Sequence, residues 1–255
     1  MAESSIFHNV ILDTPEKVEA FINAAEASLA HPYVRPEGIS PMKVITDSQG
    51  HTRYTWEITG RWENETNDKN ILYELAQYGE EKVTHDLSSF SCPVAPKLEN
   101  FIKHRAIDFS RRKISITYLV SDVSDDQILG YFALTHKALS IPYEGFSNTF
   151  RKKLERFAKL DPDTGDYNTS AFLIAQLAKN YDIDNGTRIT GRQLLSIVND
   201  ILVDIQHRIG GGLVYLDCED IDTLKHFYEN EGFYKFGERF SQEDNQQYIQ
   251  YLRLL

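Results

Sequence analysis

Cysteine is scarce in this chain: two among 255 residues, Cys92 and Cys218, far apart and in no CxxC pair. That excludes a disulfide scaffold and a zinc ribbon. Positive charge is also in deficit, with 27 Lys and Arg against 38 Asp and Glu and a net charge of −11. Such a balance excludes a protein that coats bare nucleic acid or an anionic membrane over its whole surface, and leaves room for a local basic patch. No apolar run approaches the length of a membrane span. The opening MAESSIFHNVILD has neither a basic leader nor a long apolar stretch, so it does not read as a signal peptide. A cytoplasmic setting without membrane contact is the expectation. Repeats and low-complexity tracts are missing too. Hydrophobic residues at 41% and aromatics at 12% rule out general disorder and supply a substantial core.

The first 70 residues read apart from the rest. Phe7 to Leu12 is strand-like, Asp13-Thr14-Pro15-Glu16 supplies a helix cap, and Val18, Phe21, Ile22 and Ala25 follow at helical spacing to about Leu29. His31 to Pro41, with three prolines and a glycine, is a loop, and Lys43 to Thr46 with Thr52 to Trp62 form a hairpin. The polar run Asn64 to Asn70 is the linker candidate. These patterns predict a small α+β appendage over 1–70 and a second domain over 71–255.

That second domain alternates helices and strands. The spacing predicts helices over Pro96–Phe109, Phe150–Leu160, Gly191–Ile209 and Thr223–Asn230. Strands are expected over Ile114–Ser121, Ile128–Leu139, Ala171–Ala178, Leu213–Cys218, Phe233–Phe236 and Gln247–Arg253. Helices crossing between strands imply an α/β fold with at least one parallel pairing. No spacing of His, Cys, Asp or Glu indicates a metal site.

The segment from Leu173 to Phe236 carries the chemistry. A buried strand ends at Leu177-Ala178, and a polar loop, Lys179 to Thr190, opens a helix at Gly191. Free backbone N–H groups at a helix start, with the helix dipole, make a diphosphate site. Downstream, HFYENEGF (His226 to Phe233) places Tyr228 four residues before a Gly-Phe pair, after a short helix.

In this combination the sequence resembles the GCN5-related N-acetyltransferases (GNAT). LIAQLAKNYDIDNGTRITGRQLL (Leu173 to Leu195) looks like their fourth strand, acetyl-CoA pyrophosphate loop and following helix, and HFYENEGF like their C-terminal helix with its tyrosine. FSCPVAPKLENFIKHRAI (Phe90 to Ile107) resembles the opening helix of the toxin-like branch, whose members acetylate aminoacyl-tRNA. ILGYFAL (Ile128 to Leu134) matches the strand before the substrate region. The likeness spans about residues 80 to 255. Aligned on the helix start, Gly191 is the last glycine of the family's Gln/Arg-x-x-Gly-x-Gly/Ala loop. Read from Arg188, Gly191 is instead its first glycine.

The resemblance implies a GNAT fold, a mixed central sheet flanked by helices, and an acetyltransferase using acetyl-CoA as co-substrate. It implies direct attack by a primary amine, with aminoacyl-tRNA or a protein amine as acceptor. Tyr228 is the implied acid that protonates departing CoA thiolate, against a plain packing role. Leu177 and Ala178 would act through backbone groups. Lys179, Gly186, Thr187, Arg188, Thr190, Gly191 and Arg192 form the candidate cofactor cradle, although Arg188 and Arg192 also read as solvated charges. Arg151, Lys152, Lys153, Arg156 and Lys159 are the candidate RNA contact, or a solvated helix face. His136, His207 and His226 read as structural, and Cys218 as buried. An ordinary protein or small-molecule acetyltransferase, or a non-catalytic acyl-CoA or partner-binding protein, shares these features. The appendage reads as a structural extension, a homodimer docking surface, or an acidic, antitoxin-like cover.

Overall fold

A computed structural model describes residues 43–46, 52–57, 69–74, 87–122, 125, 127–242 and 245–255. The strand, helix and loop expected between Phe7 and Pro41 lie outside them. Among the described residues, ten strands form one sheet in the order β1-β2-β3-β4-β5-β7-β8-β10-β9, with β6 paired to β7.

The expected hairpin is present: β1 (Lys43–Thr46) runs antiparallel to β2 (Thr52–Glu57), Lys43 opposite Thr55. The end of the expected second arm, 58–62, and most of the expected linker, 64–68, lie outside the described residues. Lys69 and Asn70 open β3 (Lys69–Glu74), which pairs with β2 on one side and with β4 (Ile116–Asp122) on the other. The boundary drawn at residue 70 therefore falls inside a strand that joins the hairpin to the main sheet.

The helix expected over Pro96–Phe109 is two helices, α1 (Pro96–His104) and α2 (Ala106–Arg111). Arg105 breaks it with φ −121° and ψ −27°. Strand β4 leads into β5 (Ile128–Pro142), then α3 (Asn148–Leu154). This helix ends six residues early, because Leu160 leaves it for β6 (Lys159–Leu160) and pairs with Tyr167. Strand β7 (Asp166–Lys179) starts five residues before its apolar stretch, since Asn168, Thr169 and Ser170 extend a long hairpin with β5. The remaining elements follow the expected order: α4 (Gly191–Ile209), β8 (Leu213–Glu219), α5 (Asp222–Asn230), β9 (Tyr234–Ser241) and β10 (Gln246–Leu254). The parallel pairing is β7 with β8.

Helices cover both faces of the sheet. On one, α1 and α2 bury Phe101, Ile102 and Ala106 against Tyr131, Ala133 and Ala178, and the Tyr131 hydroxyl donates to Leu98 O at 2.7 Å. On the other, α4 buries Leu194, Leu195, Val198, Ile201 and Leu202 against Val120, Phe132, Ile174, Val214 and Leu216. Each such side chain contributes roughly 1.5–3 kcal/mol on burial, so α4 is fixed firmly to the sheet. No helix among the described residues is long and apolar enough to cross a membrane.

Candidate functional site

The parallel pair β7–β8 comes apart. The two strands pair only at Phe172–Val214 and Leu173–Tyr215. Just beyond, β7 carries an extra residue relative to β5: Leu134 faces Ile174, while Ala133 faces Gln176, leaving Ala175 over. Such a bulge bends a strand and increases its twist. From there β7 stays paired with β5 through Leu177 and Ala178 to Lys179, and β8 stays paired with β10 through Glu219. A V-shaped split opens between them, in which the β8-facing backbone of Gln176–Lys179 has no strand partner among the described residues. Leu177 and Ala178 line it by their main chain, while Ala178 itself is buried on the α1 side.

The loop after β7 is tied down at both ends. Asn180 is buried; its Nδ2 donates to Ile128 O at 2.9 Å, and its Oδ1 accepts from the backbone N–H of Ser91 (2.9 Å) and Asp182 (3.1 Å). Lys179 Nζ donates to Gly186 O at 2.8 Å. Gly186 has φ +70°, and a Cβ there would meet the Tyr181 ring at 3.0 Å, so the turn requires glycine. Thr187 donates its hydroxyl to Asp184 O. At the far end Arg188 meets Asp122, Asp125 and Gln127 from the β4–β5 turn.

The loop delivers the start of α4. The Thr190 hydroxyl accepts from Gln193 N–H, and the Gln193 side chain accepts from Thr190 N–H, a complete capping box. That satisfies one of the free N–H groups of the first turn and leaves the Gly191 amide at the positive end of a 19-residue helix. Gly191 lies against the Phe227 ring of α5, 3.4 Å from where a Cβ would stand. The Arg192 guanidinium pairs with Glu231.

Across the split, Tyr228 of α5 is 8% exposed and packs among Phe227, Phe233 and Tyr251. Burial, and then the neighbouring Cys218, push its phenol far above the usual tyrosine range. Cys218 sits on the diverging half of β8, and burial pushes its thiol up to about 11. It is a protonated core residue rather than a nucleophile. His207 and His226 each turn a ring nitrogen to the carbonyl four residues earlier on their own helices, and His136 packs at a tilt against Phe172.

The basic residues occupy the other end of β7. Arg151 stacks over Tyr143, 4.3 Å from the ring centroid, whereas Lys152, Lys153, Arg156 and Lys159 are exposed. Phe157, in the same segment, covers Gly212 at the start of β8. The structure therefore separates two candidate groups that lie close in sequence: the helix start near the end of β7, and the cationic run near its beginning.

Some residues escaped the sequence reading. Asn180, Asp122 and Asp125 hold the loop. On the face opposite α4, Lys97 of α1 reaches Gln246 (2.7 Å) and the Tyr248 hydroxyl (3.2 Å) of β10, while Arg239 donates to Asp217 at 2.8 Å. Asn180 had one signal, a polar residue directly after a buried strand. Among the described residues, no group of three or more His, Cys, Asp or Glu is placed to hold a metal ion.

No protein-family model and no curated protein matches the sequence. Among solved structures, a tyrosine-to-phenylalanine mutant of KacT is 16% identical, with 71% of this chain and 93% of that one covered and a TM-score of 0.50. A structure described as a bacterial toxin is 14% identical, with 72% and 89% covered and a TM-score of 0.50. AtaT complexed with acetyl-methionyl-tRNAfMet is 15% identical, with 71% and 93% covered and a TM-score of 0.49. The first two establish the fold and nothing further: the mixed sheet flanked by helices expected of a GNAT protein.

Proposed function

We propose that this chain is an acetyl-CoA-dependent N-acetyltransferase of the toxin-like branch, acting in the cytoplasm on the amine of an aminoacyl-tRNA. What supports this reading is the split between β7 and β8, with unpaired strand on the β7 side and, on the β8 side, Tyr228 buried near Cys218.

Bound acetyl-CoA would supply an acyl group activated as a thioester. The residues present fit it in two respects. The β7 main chain at Leu177 and Ala178 offers N–H and C=O groups to an amide-bearing arm, and one N–H aimed at an acyl oxygen stabilises developing negative charge. The Gly191 amide and the α4 dipole suit a diphosphate. Side-chain cations add little here, because Arg188 and Arg192 are already held by carboxylates.

Attack by an amine moves one proton, in net, from nitrogen to the departing thiolate. The Tyr228 hydroxyl has no hydrogen-bond partner among the described residues, and burial keeps it neutral at physiological pH. In this reading it donates to the thiolate as the carbon–sulfur bond breaks and regains the proton that the amine releases. No acyl-enzyme is needed, in keeping with a protonated Cys218.

The cationic run supports a polyanionic acceptor. Lys152, Lys153, Arg156 and Lys159 stand past the vertex of the split, away from the helix start, so donor and acceptor approach from opposite ends. Calorimetry with acetyl-CoA, followed by thiol-release assays over aminoacyl-tRNA, peptide and small amines, tests the reading. Binding with thiol release that depends on aminoacyl-tRNA is expected. Release with other amines only would make the chain an ordinary acetyltransferase, binding without release a non-catalytic holder, and no binding would end the proposal.

A further inference from the structure

In the Arg188-to-Gly191 frame, Arg188 stands where a phosphate-binding cation would be placed. Its side chain does something else. Nη1 donates to Asp125 Oδ2 at 2.8 Å and to Gln127 Oε1 at 3.0 Å, Nη2 donates to Asp122 Oδ2, and Nε lies 4.0 Å from Asp184 Oδ2. Every nitrogen of the guanidinium thus faces an oxygen of this chain. The Asp122 side chain is only 5% exposed, and the guanidinium compensates its charge there. A diphosphate would have to win Arg188 from three carboxylates and strip the buried Asp122 of that cation.

We infer that Arg188 is a positioning residue: it fastens the end of the loop to the β4–β5 turn, so that the Gly191 amide is presented to a diphosphate, and is not itself a phosphate ligand. The inference rests on the reading of the site as one for acetyl-CoA. Asn180 fastens the start of the same loop to Ile128 and Leu129, so both ends of the loop hang on residues flanking one turn. The intervening bend is held from within, by Lys179 on Gly186 O. A loop fixed at three points presents its amides at a reduced ordering cost on binding. Asp125 feels the same partner, since the Arg188 hydrogen bond holds its carboxyl below the usual range.

The two roles predict opposite signs for Asp122→Asn. If Arg188 positions the loop, weakening its anchor loosens acetyl-CoA binding, about tenfold for D122N and R188Q alike, and the double variant is no worse than R188Q. If Arg188 is a phosphate ligand restrained by Asp122, D122N tightens binding, and that result overturns the inference. Hydrogen exchange on the unliganded protein supplies a second readout. R188Q, D122N and the exposed-site variant D125N should each speed exchange over residues 181–192 and leave the middle of α4 unchanged. Unchanged loop exchange in a folded R188Q protein would also overturn it. Failure of the wild-type protein to bind acetyl-CoA would reject the proposed function, while the exchange experiment would still decide what Arg188 does.

Discussion

Tyr228 and Tyr251 lie side by side, their ring centroids 6.2 Å apart, but among the described residues only Tyr251 has its hydroxyl engaged, donating to Glu229 Oε1 at 2.9 Å. On the proposed function the two phenols have different work. Tyr228→Phe keeps the ring and its packing, so folding and acetyl-CoA affinity should hardly change, while kcat falls about 10²–10⁴-fold. Tyr251→Phe should leave kcat near wild type and lower stability by about 1–2 kcal/mol, through the lost bond to Glu229. Steady-state kinetics and urea unfolding on both variants check this pair. Normal turnover by Y228F would return Tyr228 to a packing role.

Why one part of this architecture was readable and another was not can be argued from single residues. Helix α4 announces itself locally: Thr190 and Gln193 form the capping box, apolar residues recur at helical spacing, and Gly210-Gly211-Gly212 follows. The bulge at Ala175 has no such signature, because AFLIAQLA reads as one uninterrupted buried strand whether or not a residue is extra. The role of Arg188 is hidden for another reason. Its partners Asp122 and Asp125 stand more than 60 residues away, and only the fold brings the β4–β5 turn to the loop. Strand β3 was masked by Lys69 and Asn70, whose polarity continued the run before them, although Ile71, Leu72 and Tyr73 follow at once.

At Gly191 bulk and charge are separable. Gly191→Ala places a Cβ in ordinary contact with Phe227, so affinity for acetyl-CoA should change less than about threefold. Gly191→Asp adds a negative charge at the helix start, where a diphosphate would approach. It should weaken binding at least about tenfold, at an effective cost above about 1.4 kcal/mol. Calorimetry on both variants, with circular dichroism as the folding control, reads the difference. Equal affinities for Ala and Asp would move the phosphate site elsewhere.

Alkali should expose the buried phenols. Tyr131, Tyr167, Tyr228 and Tyr251 all have their ionisation opposed by burial, Tyr167 being pushed up to about 12 with further opposition from Glu155, to which its hydroxyl donates. Unfolded tyrosines ionise near pH 10. The folded pKa therefore lies above the unfolded one, and the stability contributed by these groups is complete below about pH 10 and falls as pH rises towards the folded values. Urea midpoints should be level in this respect from about pH 8 to 9.5 and drop steeply by about pH 11. A midpoint at the upper pH equal to that at the lower would contradict it.

The exposed cations of the α3 segment should matter only for a polyanionic acceptor. Reversing Lys152, Lys153 and Arg156 together to Glu changes the local charge by six while touching residues with little burial. KM for aminoacyl-tRNA should rise at least about tenfold at low ionic strength, and less at high salt, where screening already weakens the attraction. KM for a small amine and the affinity for acetyl-CoA should stay unchanged. An equal loss for both acceptors would mean that the segment serves the fold and not the acceptor.

Residues 1–70 carry eleven Asp and Glu against six Lys and Arg, while a charge of −6 remains on the other 185 residues. That acidity suits a cover over a basic acceptor surface, but the hairpin suggests a different duty. Strand β2 pairs with β3, and β3 in turn covers the edge of β4, so the hairpin protects a strand edge that would otherwise be open. A cut at residue 70 would remove Lys69 and Asn70 from β3 and confuse damage to the sheet with loss of the appendage. Deleting residues 1–62 leaves β3 whole. The truncated protein should keep its circular dichroism spectrum, unfold at lower urea concentration, and acetylate aminoacyl-tRNA at close to the full-length rate. An acidic cover predicts the reverse pattern: faster acetylation and growth arrest when the truncated chain is expressed. A docking surface predicts a third, a fall in oligomeric mass by light scattering with activity retained. Faster acetylation by a folded truncation would therefore replace the structural duty of the hairpin with an inhibitory one.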